Sequence, residues 1–176
     1  KPLQLVTPSA WMNRLVTQSP LTASWPSVTI KNPIDTTFWD SPNLKHKSFA
    51  YSDKKVKKFL FGSLNTESHH KGGDLFWKIF NELQSQNQLK DKMEFYILGS
   101  KTKFVKIIHG FKCTGLGRID SDENLRNIYS NMDAIIIPSR IDNLPNMGVE
   151  ALSCGLPIIG FETCGLTDII DHRQTG

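Results

Sequence analysis

Short apolar runs alternate with longer amphipathic segments along almost the whole chain. A short apolar run bounded by glycine, proline or polar residues predicts a buried strand, whereas apolar residues three and four positions apart predict a helix. The runs predict strands at residues 3–6, 27–30, 58–62, 94–99, 133–138 and 156–161, with residues 104–108 either a strand or a helix end. The amphipathic segments predict helices at residues 10–18, 72–86, 121–129, 145–154 and 166–170.

Glycines follow directly after two of the predicted strands, at Gly62 and Gly99. Apolar strands separated by helices indicate a parallel sheet that is covered by helices on both faces. Ligands of such sheets bind at the carboxyl ends of the strands, where a glycine lets the backbone come close to a ligand. The pattern therefore predicts a nucleotide-binding α/β domain and leaves the nucleotide open.

Two common phosphate-binding fingerprints are absent from the sequence. It contains no GxGxxG turn, and Gly72 and Gly73 follow Lys71, which reverses the order of a P-loop. Both absences count against a dehydrogenase and against an NTPase.

Charge is distributed unevenly along the chain. Residues 42–112 hold 14 lysines and 6 acidic residues, residues 133–176 hold 6 acidic residues and 2 arginines, and residues 45–58 alone carry six lysines. The basic stretch is either a solvated face or a surface that approaches anionic lipid or phosphate groups. It lacks the interleaved aromatic residues that favour nucleic acid as a partner. No 18-residue apolar stretch predicts a membrane-spanning helix.

The three cysteines, Cys113, Cys154 and Cys164, have no CxxC spacing. This count predicts neither a disulfide framework nor a zinc site, and a reducing cytoplasm is the simplest location. Cys154 falls within an apolar helix, where a small core residue is expected rather than a nucleophile. Because neither a DxD between predicted strands nor a His/Cys cluster occurs, we predict no metal and no other cofactor.

The segment PSRIDNLPNMGVEA, residues 138–151, carries the most informative constellation. A predicted strand ends at its first residue, a loop carries Asp142, and a helix begins near Pro145. The free amides at the helix start, around Asn146 and Met147, would attract a phosphate. Asp142 and Glu150 flank these amides, and carboxylates accept hydrogen bonds from sugar hydroxyls. Acidic residues near a helix start also simply complement its dipole, and the spacing leaves both interpretations open.

The run NLRNIYSNMDAIIIPSRIDNLPNMGVEALSCGLPIIGFETCG resembles the C-terminal domain of retaining glycosyltransferases with the two-domain GT-B architecture. The likeness is closest to the group 1 enzymes of bacterial capsule, O-antigen and lipopolysaccharide assembly. The matching features are a tyrosine and then an aspartate before a predicted strand, the Pro-Ser pair after that strand, the acid-x7-Glu motif, and the sequence EALSCG at the end of the following helix. The segments VTPSAW, IKNPID, Lys71-Gly72 and the strand end at Gly99 resemble further family motifs in the same order.

The resemblance implies a role for each matched residue. Glu150 would bind the ribose of a donor nucleotide, while Lys71 and the amides of Asn146 and Met147 would hold its diphosphate. Asp142 would face the transferred sugar, so that Lys71 and Asp142 form the catalytic pair. The remaining implied contacts are the backbone of Asn143 and Leu144 with the sugar, and of Arg118 with the base.

Three positions depart from the family pattern. The first acid of the motif is usually Glu and is Asp142 here, and Pro33 replaces a frequent glycine. Ser63 stands where the family often has an arginine, at a position expected to face the donor, and the loop from there to Lys71 is longer than usual. We therefore expect either that Lys71 carries the diphosphate charge with amide help alone, or that a neighbour such as His69, His70 or Lys101 assists.

The resemblance implies a Rossmann-like parallel sheet forming the C-terminal half of a GT-B enzyme. Residues 1–35 would be the interdomain junction and residues 36–176 the nucleotide-sugar-binding domain, with the terminal helices and the N-terminal acceptor domain outside the chain. The implied function is retaining, metal-independent transfer from a UDP- or GDP-sugar to a glycan or lipid-linked acceptor, in the cytoplasm or peripherally on the inner face of an anionic membrane. A sugar-nucleotide epimerase of the same architecture and a non-catalytic nucleotide-binding module are the alternatives.

Overall fold

The computed structural model describes residues 3–40, 56–62 and 68–176, which form an α/β domain. Its strands are β1 (Leu5–Thr7), β2 (Ser27–Thr29), β3 (Lys57–Gly62), β4 (Met93–Leu98), β5 (Phe104–Ile108), β6 (Phe111–Gly117), β7 (Ala134–Ile137) and β8 (Ile158–Gly160). Its helices are α1 (Ala10–Gln18), α2 (Thr36–Trp39), α3 (Gly73–Leu83), α4 (Asp122–Ser130) and α5 (Asn146–Ser153), with 3-10 turns at Asn87–Leu89 and Cys164–Asp168.

Six strands form the main sheet in the order β5-β6-β4-β3-β7-β8. All neighbouring pairs are parallel except β5 and β6, which are antiparallel. Every residue of β7 is buried, because this strand is apolar on both faces and lies between β3 and β8. The centre of the sheet is therefore set by the apolar run that the sequence analysis identified.

Helices cover the sheet on both faces, as predicted. Phe76 and Phe80 of α3 pack on one face against a cluster that includes Ile136. Tyr129 of α4 and Ala151 of α5 pack on the other face with a cluster that includes Ile135 and Ile137. Since successive side chains of a strand point to opposite faces, the three isoleucines of β7 link the two cores.

The edge hairpin adds one antiparallel strand pair to the predicted parallel sheet. Strand β6 was not predicted, and residues 104–108, left open between strand and helix, are strand β5. Two residues join the two strands, His109 and Gly110, and both have positive φ, at 50° and 91°. Such a turn suits antiparallel strands, but it is usually marked by Asn-Gly or Asp-Gly, and the His-Gly pair hides it.

Most other predicted elements are confirmed to within a few residues. Ser9 and Ser121 cap α1 and α4 as expected, and their hydroxyls accept hydrogen bonds from the amides of Met12 and Asn124. The short helix α2 was not predicted. The helix predicted at residues 166–170 is a 3-10 turn at Cys164–Asp168 in the structure. Within the described ranges, no helix has the length and apolarity needed to cross a membrane.

Residues 3–35, predicted to be an interdomain junction, pack against the rest of the domain. Strands β1 and β2 pair in parallel, and α1 follows β1. The amide of Trp11 donates to the Asp168 carboxylate at 3.1 Å, and Lys31 Nζ donates to the Asp168 carbonyl at 3.2 Å. These contacts anchor the first segment beside the loop that follows β8, and the domain boundary at residue 35 stays a prediction.

We expect Gly72→Ala to destabilise the domain strongly. Gly72 has a φ of 71°, and a Cβ there would lie 2.0 Å from the Pro138 carbonyl oxygen, which is backbone. Gly117→Ala is the matched control, because Gly117 has a φ of 73° but a Cβ there would meet only the Lys103 side chain. The left-handed backbone lowers the free energy of unfolding of both variants by on the order of 1 kcal/mol. A larger decrease for Gly72→Ala than for Gly117→Ala, measured by urea unfolding, would therefore be due to the contact with the Pro138 backbone. Equal losses would show that the contact with Pro138 is unimportant.

Candidate functional site

A cleft of about 310 Å³, here called the first cleft, lies where the carboxyl ends of β3 and β7 meet the start of α5. Its position agrees with the expectation that ligands bind at this edge of a parallel sheet. The first cleft is lined by Asn32, Gly62, Lys71, Ile137, Ser139, Asp142, Leu144, Pro145, Asn146 and Met147.

Lys71 and Asp142 form an ion pair in the first cleft. Lys71 Nζ lies 2.5 Å from Asp142 Oδ2, and the Ser139 hydroxyl donates to the same oxygen at 3.5 Å. The Asp142 side chain is 12% exposed and that of Lys71 is 44% exposed. The lysine therefore remains accessible to a second anion, while the carboxylate is held in the wall of the cleft.

Among the described residues, no acceptor pairs with the first backbone donors of α5, which lie at the first cleft. Pro145 occupies the N-cap position and provides no side-chain acceptor, and its carbonyl accepts a hydrogen bond from the amide of Gly148. The amides of Asn146 and Met147 have no intrahelical acceptor, so they and the helix dipole favour a bound anion. Gly62 allows Met147 of α5 to pack closely against the end of β3, because a Cβ there would lie 2.4 Å from Met147 Sδ.

A second cleft of about 180 Å³ adjoins the first along α5 and contains Glu150. Asn32 and Asn146 line both clefts, and Asn32 Nδ2 donates to Asn146 Oδ1 at 2.8 Å. Burial raises the pKa of Glu150, and the nearby Asp122 raises it further, whereas a hydrogen bond of 3.0 Å from the Tyr129 hydroxyl opposes the rise. The second cleft thus holds a half-buried carboxylate with one fixed donor.

The backbone around Lys71 is held by Arg140. Its guanidinium binds both oxygens of Asp74, at 2.6 and 2.7 Å, and donates to the His69 carbonyl at 2.8 Å. The amide of Arg140 donates to the His70 carbonyl at 2.8 Å. The bond from Arg140 lowers the pKa of Asp74 to about 2, so this pair remains ionised across the range in which the protein is expected to work.

The structure brings most of the predicted site residues together. Lys71, Asp142, Leu144, Asn146 and Met147 line the first cleft, and Glu150 lines the second. Among the described residues, no cluster of three His, Cys, Asp or Glu side chains could hold a metal ion.

Three predicted residues lie elsewhere or cannot be placed. Asn143 lines neither cleft; its side-chain oxygen accepts a hydrogen bond from the buried Ser9 hydroxyl at 2.8 Å, so its side chain anchors the loop to α1. Arg118 is exposed, pairs with Asp120 at 2.5 Å and also lines neither cleft. Ser63 lies outside the described residues. The side chains of His69 and His70 are exposed, and their carbonyls hold Arg140.

The prediction that Cys154 is a core residue is confirmed. Cys154 is 1% exposed, and burial raises its pKa to about 11. A thiol in this state is protonated at neutral pH and does not act as a nucleophile.

The residues of the site that were not singled out from the sequence include Asn32, Ser139 and Tyr129. Each lies within a segment that had been matched to a family motif, namely IKNPID, the PS after β7 and the tyrosine before the strand. The matched motifs were the available signal, but only the folded chain shows that Asn32 and Ser139 line the first cleft and that Tyr129 contacts Glu150 in the second.

Residues 57–176 match the family model described as Glycosyl transferases group 1. The chain belongs to this glycosyltransferase family. This match confirms the prediction that the chain contains a group 1 glycosyltransferase domain.

Two relatives of the group 1 glycosyltransferase domain align over part of its length. The sulfoquinovosyl transferase SQD2 of Arabidopsis thaliana is 32% identical over 76 residues, 43% of this chain and 15% of that protein. The putative colanic acid biosynthesis glycosyl transferase WcaC of Escherichia coli K12 is 29% identical over 85 residues, 47% of this chain and 19% of that protein. The alignments thus span less than a fifth of these relatives.

Solved structures share the fold of the domain. Sucrose-phosphate synthase from Thermosynechococcus elongatus has a TM-score of 0.70 at 14% identity, and the match covers 98% of this chain and 44% of that one. Anabaena HepE, solved in complex with UDP and glucose, has a TM-score of 0.61 at 13% identity and coverages of 95% and 46%. The chain therefore has the fold of about half of a GT-B glycosyltransferase, which confirms the predicted fold class.

We expect Arg140→Ala to loosen the backbone around Lys71 in the group 1 glycosyltransferase domain. Hydrogen exchange should accelerate at the amides of Gly72 and Gly73, whose acceptors are the carbonyls of His69 and Ser68. Lys78→Ala is the control, because Lys78 approaches the same Asp74 carboxylate only to 4.0 Å and makes no contact with the loop backbone in the described structure. Since the pKa of Asp74 is lowered, the wild-type loop should keep its protection as pH falls, until pH approaches about 2. Unchanged exchange in Arg140→Ala would show that the ion pair does not hold the loop.

Proposed function

We propose that this chain is the donor-binding domain of a retaining, metal-independent glycosyltransferase. It binds a nucleoside-diphosphate sugar of the UDP or GDP type, and the whole protein transfers the sugar to a glycan or lipid-linked acceptor. The observation that carries the proposal is the placement of the Lys71–Asp142 pair beside the unpaired amides of α5, next to a cleft with a half-buried glutamate.

The order of these groups along α5 suits a nucleoside diphosphate. A diphosphate needs cations and donors, which Lys71 and the amides of Asn146 and Met147 supply in the first cleft. Ribose hydroxyls need an acceptor, which Glu150 supplies in the second cleft. Glu150 follows Asn146 by four helical positions, a rise of about 6 Å, which is close to the step from a phosphate to its ribose.

Lys71 would stabilise the negative charge that develops on the leaving group. When the bond between sugar and phosphate breaks, negative charge accumulates on the diphosphate, and a positioned cation stabilises it. In the structure this cation is paired with Asp142. When a donor binds, the Lys71 ammonium group would therefore move from the Asp142 carboxylate to the phosphates. Asp142 would then be free to accept hydrogen bonds from the transferred sugar.

The comparisons support the donor class and the biological setting. HepE was solved with UDP and glucose, and WcaC is named for colanic acid biosynthesis. We extend these properties to the present protein as a nucleotide-sugar donor and a role in polysaccharide or lipopolysaccharide assembly. We also propose a cytoplasmic location with peripheral contact to an anionic membrane, based on the lysines of residues 45–58, of which the structure describes Lys57 and Lys58.

The direct test uses the complete protein with UDP- and GDP-sugars, with and without glycan and lipid-linked acceptors. The expected product appears only with an acceptor, keeps the anomeric configuration of the donor by NMR, and forms equally well with EDTA present. Conversion of the donor sugar without any acceptor would indicate an epimerase instead. Nucleotide binding without any reaction across the panel would indicate a non-catalytic module.

We expect Lys71→Ala to weaken the binding of UDP or GDP by about 1.5–3 kcal/mol, because one charge-assisted contact is lost. Binding of the parent nucleoside, which lacks phosphates, should change little. Calorimetry with both ligands measures the difference. Equal losses for both ligands would make Lys71 an exposed loop charge.

Asp142→Asn provides the matched comparison for Lys71. It removes the competing carboxylate but keeps the shape of the side chain. Diphosphate binding should therefore be unchanged or stronger, while the additional affinity contributed by the sugar of the full donor should fall. A loss of diphosphate affinity as large as that of Lys71→Ala would show that Asp142 orients the lysine rather than competing for it.

We expect Glu150→Gln to weaken ribonucleotide binding without destabilising the domain. Each charged hydrogen bond to a ribose hydroxyl is worth about 1.5–3 kcal/mol, and a 2′-deoxyribonucleotide should be less sensitive to the change. The folded state raises the pKa of Glu150, so the ionised group lowers stability as pH rises through that pKa.

The melting temperature of Glu150→Gln should therefore equal or exceed that of wild type at pH 7, with the difference vanishing below about pH 4, where the carboxyl is neutral in both states. If Glu150 served only to complement the dipole of α5, the variant would melt lower than wild type and bind both nucleotides alike.

A further inference from the structure

Tyr129 is a fully buried residue of α4 whose side-chain hydroxyl contacts Glu150, a residue that lines the second cleft. Its side chain is 0% exposed, and its ring lies 5.9 Å from that of Trp39, centre to centre. The hydroxyl donates a hydrogen bond of 3.0 Å to Glu150 Oε2. The remainder of its surroundings is the apolar cluster between the sheet, α4 and α5. The hydroxyl therefore has one evident task, which is to contact the glutamate.

This hydrogen bond has a fixed direction. Burial raises the pKa of Tyr129, and the negative charge of Glu150 raises it further, so the phenol stays protonated and acts as the donor. With Oε2 engaged by Tyr129, Oε1 remains as the acceptor for a ligand in the second cleft. A glutamate that is already held in one rotamer loses less conformational entropy when it binds a ligand.

We propose that Tyr129 is a positioning residue that fixes the Glu150 carboxylate across the second cleft and thereby sets the preference of the site for ribose over 2′-deoxyribose. The inference rests on the proposed function, in which Glu150 accepts hydrogen bonds from the ribose. Tyr129 itself is buried beneath the cleft and acts on the nucleotide only through Glu150.

The charges around Glu150 make the tyrosine hydroxyl hard to replace. Asp122 at the start of α4 and Asp35 at the N-cap of α2 line the same cleft, and the buried thiol of Cys154 lies at the end of α5. The negative charge of Asp122 disfavours ionisation of Glu150, and the Cys154 thiol is protonated at neutral pH. Within the described residues, Tyr129 is the group that donates a hydrogen bond to Glu150. Its loss should therefore raise the pKa of Glu150 as well as release its rotamer.

The chain offers a matched control for the hydroxyl. Tyr96 of β4 also donates to a glutamate, Glu94 Oε2, at 3.0 Å, and neither residue lines the two clefts. Tyr129→Phe and Tyr96→Phe thus delete the same atom from the same kind of pair at two places. A purely structural role of the tyrosine–glutamate bond would affect melting temperature in both variants and nucleotide selectivity in neither.

The experiment compares wild type, Tyr129→Phe, Tyr96→Phe and Glu150→Gln by calorimetry with UDP, GDP and their 2′-deoxy analogues between pH 5.5 and 8. Tyr129→Phe should bind the preferred ribonucleotide about three- to tenfold more weakly. A loss of this size is expected because the variant lacks one hydrogen bond to the charged Glu150, which in turn contacts the ribose. The loss should be smaller for the 2′-deoxy analogue and should grow as pH falls, because Glu150 takes up a proton at higher pH in the variant. Tyr96→Phe should match wild type for every ligand.

The outcomes separate this inference from the proposed function. If Glu150→Gln weakens ribonucleotide binding but Tyr129→Phe matches wild type at every pH, the positioning role is wrong and the donor site stands. If wild type binds none of the nucleotides, or Glu150→Gln leaves binding unchanged, the proposed function fails and the inference with it.

A double variant covers the case in which Tyr129→Phe does not fold. Tyr129→Phe combined with Glu150→Gln removes the hydroxyl together with the charge that would be left unpaired. It should bind as Glu150→Gln does, since the tyrosine acts through the carboxylate. A further loss of affinity beyond that of Glu150→Gln would overturn the proposal.

Discussion

The backbone contact between the loop before α3 and the end of β7 fixes the first cleft. Gly72 lies against the Pro138 carbonyl so closely that no side chain fits between them, and the His70 carbonyl accepts a hydrogen bond from the amide of Arg140. Lys71 stands between these two anchor points. Its ammonium group therefore reaches Asp142 because the backbone on either side is held, and the ion pair is a consequence of the packing rather than its cause.

The parts of the site that could be predicted from the sequence are those with a local signal along the chain. Apolar runs identified β3, β4, β7 and β8, and hence the sheet edge at which ligands bind, because buried parallel strands have an unmistakable composition. The pairing of Lys71 with Asp142 spans 71 positions of sequence and follows from the order of β3 and β7 in the sheet, which no local pattern reports. The motif placed both residues in the site but could not show that each is the other's partner.

The failures of prediction have equally local causes. Strand β6 contains Gly115 and Gly117 and follows a His-Gly turn, so neither its composition nor its turn resembles that of a common hairpin. The resemblance implied a sugar contact for the backbone of Asn143, which stays a prediction, and it did not indicate that the Asn143 side chain anchors the loop to Ser9 of α1. A partner 134 residues away in sequence decided its role, and only the packing of residues 3–35 on the domain brings that partner near.

The helix starts of the domain differ in a way that stability alone does not explain. The starts of α1, α2 and α4 are capped by the side chains of Ser9, Asp35 and Ser121. The starts of α3 and α5 follow Gly72 and Pro145 and have no side-chain cap. At α3 a backbone carbonyl takes the place of a cap, because the amide of Gly73 donates to the Ser68 carbonyl. At α5, which borders the first cleft, no acceptor among the described residues pairs with the amides of Asn146 and Met147, although a capping side chain typically contributes about 1 kcal/mol. The uncapped start of α5, an exposed lysine and a carboxylate opposite therefore form a place where an anion can pair with donors that the helix leaves free.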